Sequence, residues 1–360
     1  MTTSTTYALG GRVEAFPAGD GAIYFLRDGT TAEHVLDEPS ALDRRLLELL
    51  HEARTRRELL AEAGPGGEAA VEELLGALDE LGLLETADAA GPASRLDAGA
   101  LARYDRQLPY VTEEGQLRLL GSTVTMIGVG ALGTWTALSL ACAGVGRLVL
   151  VDDDAVELGN LNRQVLFRHA DVGRPKVDAA ADALRAFNPD LEVATANLRV
   201  TGPADVAAVI AGSDLVVATA DRPAFAIDRW VNAAAFAQHV PHVSASLVTP
   251  SVRVGPLVRP GITGCTECQH IAARREHPDH DALVAYRTRH LRPGPTIGSL
   301  SSLVGSILSN DAIHLLTGVA TPATEGRVVM VDARDLTVTH ERIRREPDCE
   351  VCASAIHRAA

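Results

Sequence analysis

A glycine-rich turn between two apolar runs constrains the fold of this 360-residue chain more than any other feature. The apolar run TVTMIGV begins at Thr123 and leads into GVGALG at residues 128–133. A helical stretch then reaches Ala143, and a second apolar run ends in Asp152. This order is typical of a nucleotide-binding βαβ unit, because the glycines admit phosphate close to the backbone and the acid can bind ribose hydroxyls. The sequence therefore predicts an α/β fold with a Rossmann-like, doubly wound sheet.

The residues after this turn indicate which kind of nucleotide site it forms, since the turn alone fits a nicotinamide dehydrogenase equally well. Two cations, Arg163 and Lys176, and a second acid, Asp221, follow Asp152 along the chain. Lys176 is the single lysine among 33 basic residues, which indicates a position that needs a compact ammonium group. Two cations and two acids at the carboxyl edge of a parallel sheet suit a triphosphate and its magnesium ion better than hydride transfer.

Four of the five cysteines form two C-x-x-C pairs, Cys265 with Cys268 and Cys349 with Cys352. Two such pairs can close a tetrahedral four-cysteine zinc site, which would be structural because no coordination position stays open. A redox pair or two disulfides are the alternatives, and the expected cytoplasmic location disfavours both. The fifth cysteine, Cys142, lies in the apolar stretch LSLACAG and is expected to be a buried core thiol.

Charge and hydropathy exclude two classes of function. No apolar run is long enough to span a bilayer, and the N-terminus lacks the basic start and apolar stretch of a secretory signal, so we expect a cytoplasmic protein without a membrane segment. The formal net charge of −14 repels phosphate backbones, so no nucleic-acid partner is expected. Residues 1–88 hold 18 acidic and 7 basic side chains, so most of the acidity is N-terminal.

A change of composition predicts two domains, residues 1–88 and 101–360, joined by a linker. Residues 89–100 read AAGPASRLDAGA, which has no apolar period and is typical of a linker. Upstream, the apolar pattern predicts strands at 12–16, 22–26 and 31–36, and helices at 46–50, 59–60 and 71–83. This is a small α+β, winged-helix-like domain whose acidity favours a peptide or protein ligand over DNA.

Seven motifs follow one another along residues 103–352: RYDRQLP at 103–109, GVGALG at 128–133, VDDDAVELGNLNRQ at 151–164, GRPKV at 173–177, ATAD at 218–221, CTEC at 265–268 and CEVC at 349–352. Together they resemble the motifs of the ubiquitin-activating-enzyme-like adenylyltransferases. That family includes the bacterial enzymes that activate the sulfur carriers of molybdopterin and thiamin synthesis, and the microcin C adenylating enzyme. The resemblance implies an ATP-dependent homodimeric enzyme that releases pyrophosphate, with Mg²⁺ and a structural Zn²⁺.

The resemblance also implies roles for individual residues. Nucleotide binding would fall to the turn glycines, the ribose acid and two polar side chains: Gly128, Gly130, Gly133, Asp152, Asn160 and Gln164. Catalysis would fall to three cations and one magnesium-binding acid: Arg106, Arg163, Lys176 and Asp221. Arg106 would reach across a two-fold interface as an arginine finger on the neighbouring subunit's ATP. The alternatives are surface salt bridges for Arg163 and Lys176 and a helix cap for Asp221.

Two segments of the N-terminal domain carry a second resemblance, GDGAIYFLRDGTTAEHVLDEPSALDRRLLELL at 19–50 and VEELLGALDELGLLE at 71–85. With these segments, residues 10–86 resemble the RiPP recognition element, a leader-peptide-binding module related to the PqqD peptide chaperone of pyrroloquinoline quinone biosynthesis. The resemblance implies that a peptide adds as a strand beside residues 31–36 and lies against the helix at 68–81. The alternative is a structural or dimerisation appendage.

The segment 269–296 is predicted to be a cationic loop without a cysteine, which disfavours covalent catalysis. Its basic and titratable residues are Arg274, Arg275, His277, His280, Arg287, Arg289, His290 and Arg292. The loop could close over ATP or guide an acidic peptide end, or it could be a mobile surface segment.

Three functions fit these observations. The sequence favours an ATP-dependent adenylyltransferase that activates a carboxylate of a ribosomally synthesised precursor peptide as an acyl-adenylate, with the leader held by the N-terminal domain. The first alternative is adenylation of the C-terminal glycine of a ubiquitin-like sulfur carrier, whose enzymes commonly lack that domain. The second is a non-catalytic scaffold that presents a leader peptide to a partner cyclodehydratase, which the retained ATP residues disfavour.

Overall fold

The chain divides into two compact units, Met1–Asp97 and Ala98–Ala360. The computed structural model describes residues 5–10, 13–27, 32–88, 96–290 and 294–353. The division falls within the predicted linker 89–100, of which residues 89–95 lie outside the described ranges. A helix begins at Ala98, so the last three residues of that predicted linker belong to the second unit.

The first unit combines six strands with three helices in its described residues. The strands are β1 (Thr5–Leu9), β2 (Val13–Pro17), β3 (Ile23–Arg27), β4 (Ala32–Leu36), β5 (Arg54–Thr55) and β6 (Leu84–Asp88). The helices are α1 (Ala41–Leu49), α2 (Arg56–Ala63) and α3 (Glu68–Glu80). Strands β2, β3 and β4 form one antiparallel sheet in that order, and β1 lies between β5 and β6 in another. The three predicted strands and three predicted helices are confirmed as elements, with ends that differ by a few residues, whereas β1, β5 and β6 are not predicted.

Local sequence explains where the first two helices begin. Ser40 accepts a hydrogen bond from the Asp43 backbone, and the Asp43 carboxylate accepts one from the Ser40 backbone, which forms a capping box at α1. Thr55 and Glu58 form the same reciprocal cap at α2, as the position of Thr55 suggests. Leucines from all three helices then pack on β3 to make the core of this unit.

The second unit contains eight strands and nine helices in its described part. The strands are β7 (Thr123–Ile127), β8 (Arg147–Asp152), β9 (Glu192–Asn197), β10 (Leu215–Ala218), β11 (His242–Val248), β12 (Ser251–Val258), β13 (Arg327–Asp332) and β14 (Thr337–Arg342). The helices are α4 (Ala98–Tyr104), α5 (Leu108–Gly121), α6 (Ala131–Ala143), α7 (Lys176–Phe187), α8 (Pro203–Val209), α9 (Ala226–Ala237), α10 (Thr266–Glu276), α11 (His280–His290) and α12 (Gly298–Thr317).

The eight strands form one sheet in the order β14-β13-β12-β11-β10-β7-β8-β9. The five strands from β11 to β9 are parallel, and the other three are antiparallel. The apolar sides of α6, α7 and α12 cover one face of the sheet, while α8 and α9 cover the other. The predicted doubly wound α/β fold is therefore confirmed. The order reverses between β7 and β10, and ligands of such sheets bind at the carboxyl ends of the strands at this point.

Three details differ from expectation. Residues 269–296 are not a loop, because α10 and α11 occupy most of the segment, and Arg292 lies outside the described residues. Cys142 is exposed, because its neighbours Ala141 and Ala143 take the buried positions of α6. Strand β10 ends at Ala218 and not at Asp221, where the apolar run DLVVATAD predicts its end. Throughout the described ranges, no helix is both long and apolar enough to cross a membrane.

Candidate functional site

The three glycines of the turn after β7 have different surroundings. Gly128 has φ +99°, and a Cβ there would lie 2.5 Å from the backbone nitrogen of Ala220. A Cβ on Gly133 would lie 2.1 Å from the carbonyl oxygen of Gly128. A Cβ on Gly130 would meet only the Gln164 amide nitrogen, at 4.0 Å. The first and third glycines are thus required by packing, and Gly130 leaves open space at the start of α6, where backbone N–H groups can bind phosphate.

Asp152 ends β8 beside this turn, and two backbone groups fix its carboxylate. One oxygen accepts a hydrogen bond from Val129 at 2.6 Å, and the other accepts one from Asp154 at 2.9 Å. Burial raises the pKa of Asp152, while the Lys176 ammonium and these two hydrogen bonds act in the opposite direction. The carboxylate is therefore held in one orientation at the edge of the sheet, where it can accept hydrogen bonds from hydroxyl groups.

Lys176 begins α7 and is only 6% exposed. Its Nζ lies 2.6 Å from a carboxylate oxygen of Asp154, and its backbone nitrogen donates to the Asp154 carbonyl at 2.9 Å. The adjacent Asp153 pairs with Arg199 at 3.7 Å. An ammonium so far removed from solvent interacts strongly with any negative charge that enters beside it.

A cleft of about 520 Å³ opens at the carboxyl ends of β7, β8 and β10. Its lining includes five of the predicted site residues: Gly128, Gly130, Asp152, Lys176 and Asp221. Asp153, Asp154 and Arg199 also line it, together with Thr288 of α11. The volume lies in the range of small-molecule sites. Asp154 and Thr288 line the cleft but are not among the predicted site residues. The run of three aspartates at 152–154 could have indicated Asp154, whereas nothing in the sequence indicates Thr288.

Two further predicted residues, Asn160 and Arg163, do not line the cleft and form hydrogen bonds within their own segment of the chain. The Asn160 side chain accepts a hydrogen bond from the Glu157 backbone at 3.0 Å. The Arg163 guanidinium donates to the Gly159 carbonyl at 2.6 Å and to the Asn162 side chain at 2.8 Å. In this arrangement the Arg163 guanidinium is bound within residues 159–163.

Gln164 is buried, and its side-chain oxygen has no hydrogen-bond partner in the described part of the chain. Its amide nitrogen lies beside the open space above Gly130. A buried amide oxygen without a partner carries a desolvation cost, so a donor on a bound molecule would stabilise this side chain.

Arg106 is exposed between α4 and α5, and it does not line the cleft of its own chain. The segment that carries it is fixed on both sides. Tyr104 packs under Gly144, where a Cβ would lie 2.7 Å from the phenol ring, and Gln107 donates to the Ala143 carbonyl at 2.9 Å. Arg106 is thus displayed outward from a rigid base.

The four predicted cysteine ligands form one cluster. Their sulfur atoms lie within 4.8 Å of one another, and each residue is fully buried. The Sγ–Sγ distances are 3.8 Å for Cys265–Cys268, 3.6 Å for Cys265–Cys349 and 3.2 Å for Cys268–Cys352. Four thiolates around Zn²⁺ would be separated by roughly 3.8 Å, so the cluster fits this ion, and the sulfurs are too far apart for disulfides. Hydrogen bonds from neighbouring thiols lower the pKa of Cys268.

The ThiF family profile matches residues 104–351. The chain belongs to the ThiF family. The sulfur carrier protein ThiS adenylyltransferase of Escherichia coli is 35% identical to this ThiF-family chain over 255 residues, which cover 70% of this chain and 95% of the relative. The molybdopterin-synthase adenylyltransferase of the same organism is 34% identical over 254 residues, covering 70% and 96%. This ThiF-family protein is therefore an ATP-dependent adenylyltransferase.

Solved structures extend the likeness to both units. The crystal structure of Escherichia coli MccB with ATP has a TM-score of 0.72 at 23% identity, and the match covers 96% of this chain and 99% of MccB. The structure of PaaA has a TM-score of 0.73 at 24% identity, covering 93% and 99%. At this level of identity the likeness shows a shared fold.

Proposed function

We propose that this ThiF-family adenylyltransferase activates a carboxylate of a ribosomally synthesised precursor peptide as an acyl-adenylate. The supporting observation is the presence of the first unit, Met1–Asp97, which lies outside the ThiF match at residues 104–351. The ThiS and molybdopterin-synthase adenylyltransferases match over 95% and 96% of their own lengths, yet they cover only 70% of this chain. MccB, which has been solved with the peptide MccA, matches over 96% of this chain. A unit that precedes the adenylation fold is expected to serve a substrate that a sulfur-carrier enzyme does not bind.

The first unit offers a place for a leader peptide at β4. This strand is the edge of the β2-β3-β4 sheet, so its outer backbone groups can pair with an added strand. Val35 on β4 is 45% exposed, and Leu81 at the end of α3 is 43% exposed. The excess of acidic residues in 1–88 favours a leader that carries basic side chains. The leader would extend the sheet as a further antiparallel strand, with its apolar side chains on these exposed positions.

The cleft would hold ATP with the ribose on Asp152 and the phosphates above Gly130 and the start of α6. Attack of a peptide carboxylate oxygen on the α-phosphorus forms the acyl–phosphate bond and breaks the bond to the β-phosphate oxygen, so pyrophosphate leaves. The buried Lys176 ammonium would stabilise the negative charge that grows on the α-phosphate oxygens. Gln164 could donate its amide to a phosphate from beside Gly130.

The residues present also fit a magnesium ion. Asp221 is exposed on the cleft wall, and hard oxygen donors are the ligands that Mg²⁺ prefers. The ion would be bound by Asp221 and would supply charge neutralisation for the leaving pyrophosphate.

A homodimer would complete this site. Arg106 is displayed on the rigid Tyr104–Gln107 segment but does not line its own cleft, so we propose that it serves the cleft of a second subunit. A guanidinium brought to the transferred phosphate is a known way to stabilise its transition state. The four-cysteine cluster would hold a structural Zn²⁺ that ties residues 349–352 to α10.

ATP–pyrophosphate exchange tests the proposal. The full chain is assayed with no acceptor, with a precursor peptide encoded beside its gene, and with a ubiquitin-like sulfur carrier. We expect exchange with the peptide alone. Exchange with the carrier alone would support the function named for the ThiS-activating relative, and absence of exchange with every acceptor would support the scaffold.

A further inference from the structure

Two histidines bring α10 and α11 together at a place that neither the cleft nor the cysteine cluster uses. Nδ1 of His270 lies 3.4 Å from Nε2 of His280. The ring centroids are 5.7 Å apart and the ring planes are inclined by 54°, so the rings are not stacked. The two side chains instead point one nitrogen each toward a common region between the helices.

This distance fits a shared metal ion as well as it fits a long hydrogen bond between the two rings. N–H···O hydrogen bonds in proteins have heavy-atom distances of about 2.7–3.2 Å, so a ring-to-ring hydrogen bond at 3.4 Å would be long. Two imidazole nitrogens that each bind one tetrahedral ion at about 2.0–2.1 Å would be roughly 3.3–3.4 Å apart. The separation of 3.4 Å between His270 and His280 agrees with the second arrangement.

The charges around the pair allow a cation. Arg274 lies one turn after His270, but it is neutralised from two sides, by Glu267 at 3.4 Å and by Asp281 at 3.0 Å. Glu267 also pairs with Arg229 at 2.8 Å. The two carboxylates pair with the two guanidinium groups, which reduces the repulsion that these cations exert on a divalent ion. The pair forms no group of three or more potential ligands within the described residues, so water would fill the remaining coordination positions.

We propose that His270 and His280 form a binding site for a divalent transition-metal ion of the Zn²⁺ class, separate from the four-cysteine cluster. The ion would join α10, which carries Cys265 at its N-cap and Cys268 in its first turn, to α11, which contributes Thr288 to the cleft. Imidazole is a preferred ligand for Zn²⁺, Co²⁺, Ni²⁺ and Cu²⁺. The proposal concerns these two side chains alone and does not depend on the acyl substrate.

The test uses full-length protein whose cysteine cluster has first been filled with Zn²⁺, titrated with Co²⁺ and followed by its visible d–d absorption. In excess Mg²⁺, which would occupy the carboxylates of the cleft, we expect one Co²⁺ per chain without the strong thiolate charge-transfer absorption of a cysteine site. His280→Gln should weaken this binding at least about tenfold, since even outer-shell changes at metal sites cost 10–100-fold, and should leave the cysteine-bound Zn²⁺ in place.

His277→Gln is the matched control, because His277 is exposed and close to His280 in the sequence motif HPDH. It should bind Co²⁺ like the unaltered protein. Absence of Co²⁺ binding to the Zn²⁺-loaded protein would overturn the proposal and leave the pair as two neutral imidazoles in contact. Loss of binding in His277→Gln with retention in His280→Gln would overturn it as well.

Amide hydrogen exchange gives a second readout. A bound ion would hold the first turn of α11 on α10, so Co²⁺ should slow exchange over residues 281–290 in the unaltered protein. The same addition should have no effect on these amides in His280→Gln. Equal protection in both proteins would contradict the site.

Discussion

Replacing Lys176 by methionine tests the central electrostatic argument, because this change keeps most of the apolar stem and removes only the charge. The Lys176 side chain is almost fully buried, whereas its partner Asp154 has a side chain that is 65% exposed. Water can therefore solvate the Asp154 carboxylate once the ammonium is gone. The Asp154 contact therefore contributes only about 1 kcal/mol to the unfolding free energy. Lys176 also lowers the pKa of the buried Asp152, so the variant should raise that pKa further. The total loss should stay below the roughly 3–5 kcal/mol for a buried charge left unpaired, because two backbone hydrogen bonds still hold the Asp152 carboxylate.

The effect on catalysis should be much larger than the effect on stability. Removing one preorganised electrostatic group from an active site typically lowers the rate about 10²–10³-fold, which corresponds to roughly 2.7–4 kcal/mol of transition-state stabilisation. We expect Lys176→Met to lower ATP–pyrophosphate exchange by at least that factor. Lys176→Arg should not restore the rate, because a planar guanidinium does not replace a compact ammonium in a buried site.

The assay compares exchange at saturating ATP with thermal unfolding of the same preparations. Arg185→Met is the matched control, since Arg185 is a half-exposed cation on the same helix, pairs with Asp182 at 3.7 Å and does not line the cleft. It should retain full exchange. Exchange in Lys176→Met within about threefold of the unaltered protein would refute the assigned role, and an equal loss in Arg185→Met would show that the defect comes from the helix.

Four further predictions follow from the geometry. Gly133→Ala should destabilise the second unit by about 1–3 kcal/mol in denaturant unfolding, because its Cβ would lie 2.1 Å from the Gly128 carbonyl, whereas Gly130→Ala should keep stability and weaken ATP binding. Mixed dimers of Arg106→Ala and Asp152→Ala chains should regain up to one working site, and no recovery would place Arg106 outside the partner's cleft. Cys352→Ser should release one Zn²⁺ per chain by elemental analysis and lower the unfolding temperature, and unchanged metal content would contradict the cluster. Burial lowers the pKa of His242 to about 4, so between pH 6.5 and about 4 only the unfolded state binds a proton, and the folded protein loses stability as the pH falls. His242→Leu should abolish this pH-dependent loss of unfolding free energy. An unchanged pH profile of unfolding would contradict the prediction.

The sequence predicts best the features that only one or a few residue types can form, such as a turn with no room for a Cβ or a set of thiolate ligands for one metal ion. The turn glycines could be recognised because Gly128 and Gly133 leave no room for a Cβ, and the cysteines because their spacing allows one ion to join them. The sheet around the turn followed from the apolar runs. These features depend on short stretches of chain, so the sequence alone contains their cause.

Features that depend on distant parts of the chain were missed. Strand β1 is held by β5 and β6, which come from residues 54–55 and 84–88, so no local period indicates it. The basic composition of residues 280–290 favours an exposed segment but does not distinguish a loop from a helix, whereas Ala282, Leu283 and Ala285 in α11 favour a helix. The approach of His270 to His280 follows from the way α10 and α11 meet, and the sequence motif pairs His280 with His277 instead.

The chain divides at Asp97 into two units, so leader binding and adenylation would be carried out by different units with separate affinities for the peptide. Under the proposed function, a leader held by the first unit would raise the effective concentration of the peptide's reacting end at the cleft of the second. The cleft would then need little affinity of its own for that end, and its contacts could be used on the nucleotide. Changes on the edge of β4 could redirect the enzyme to another peptide while the adenylation chemistry stays the same.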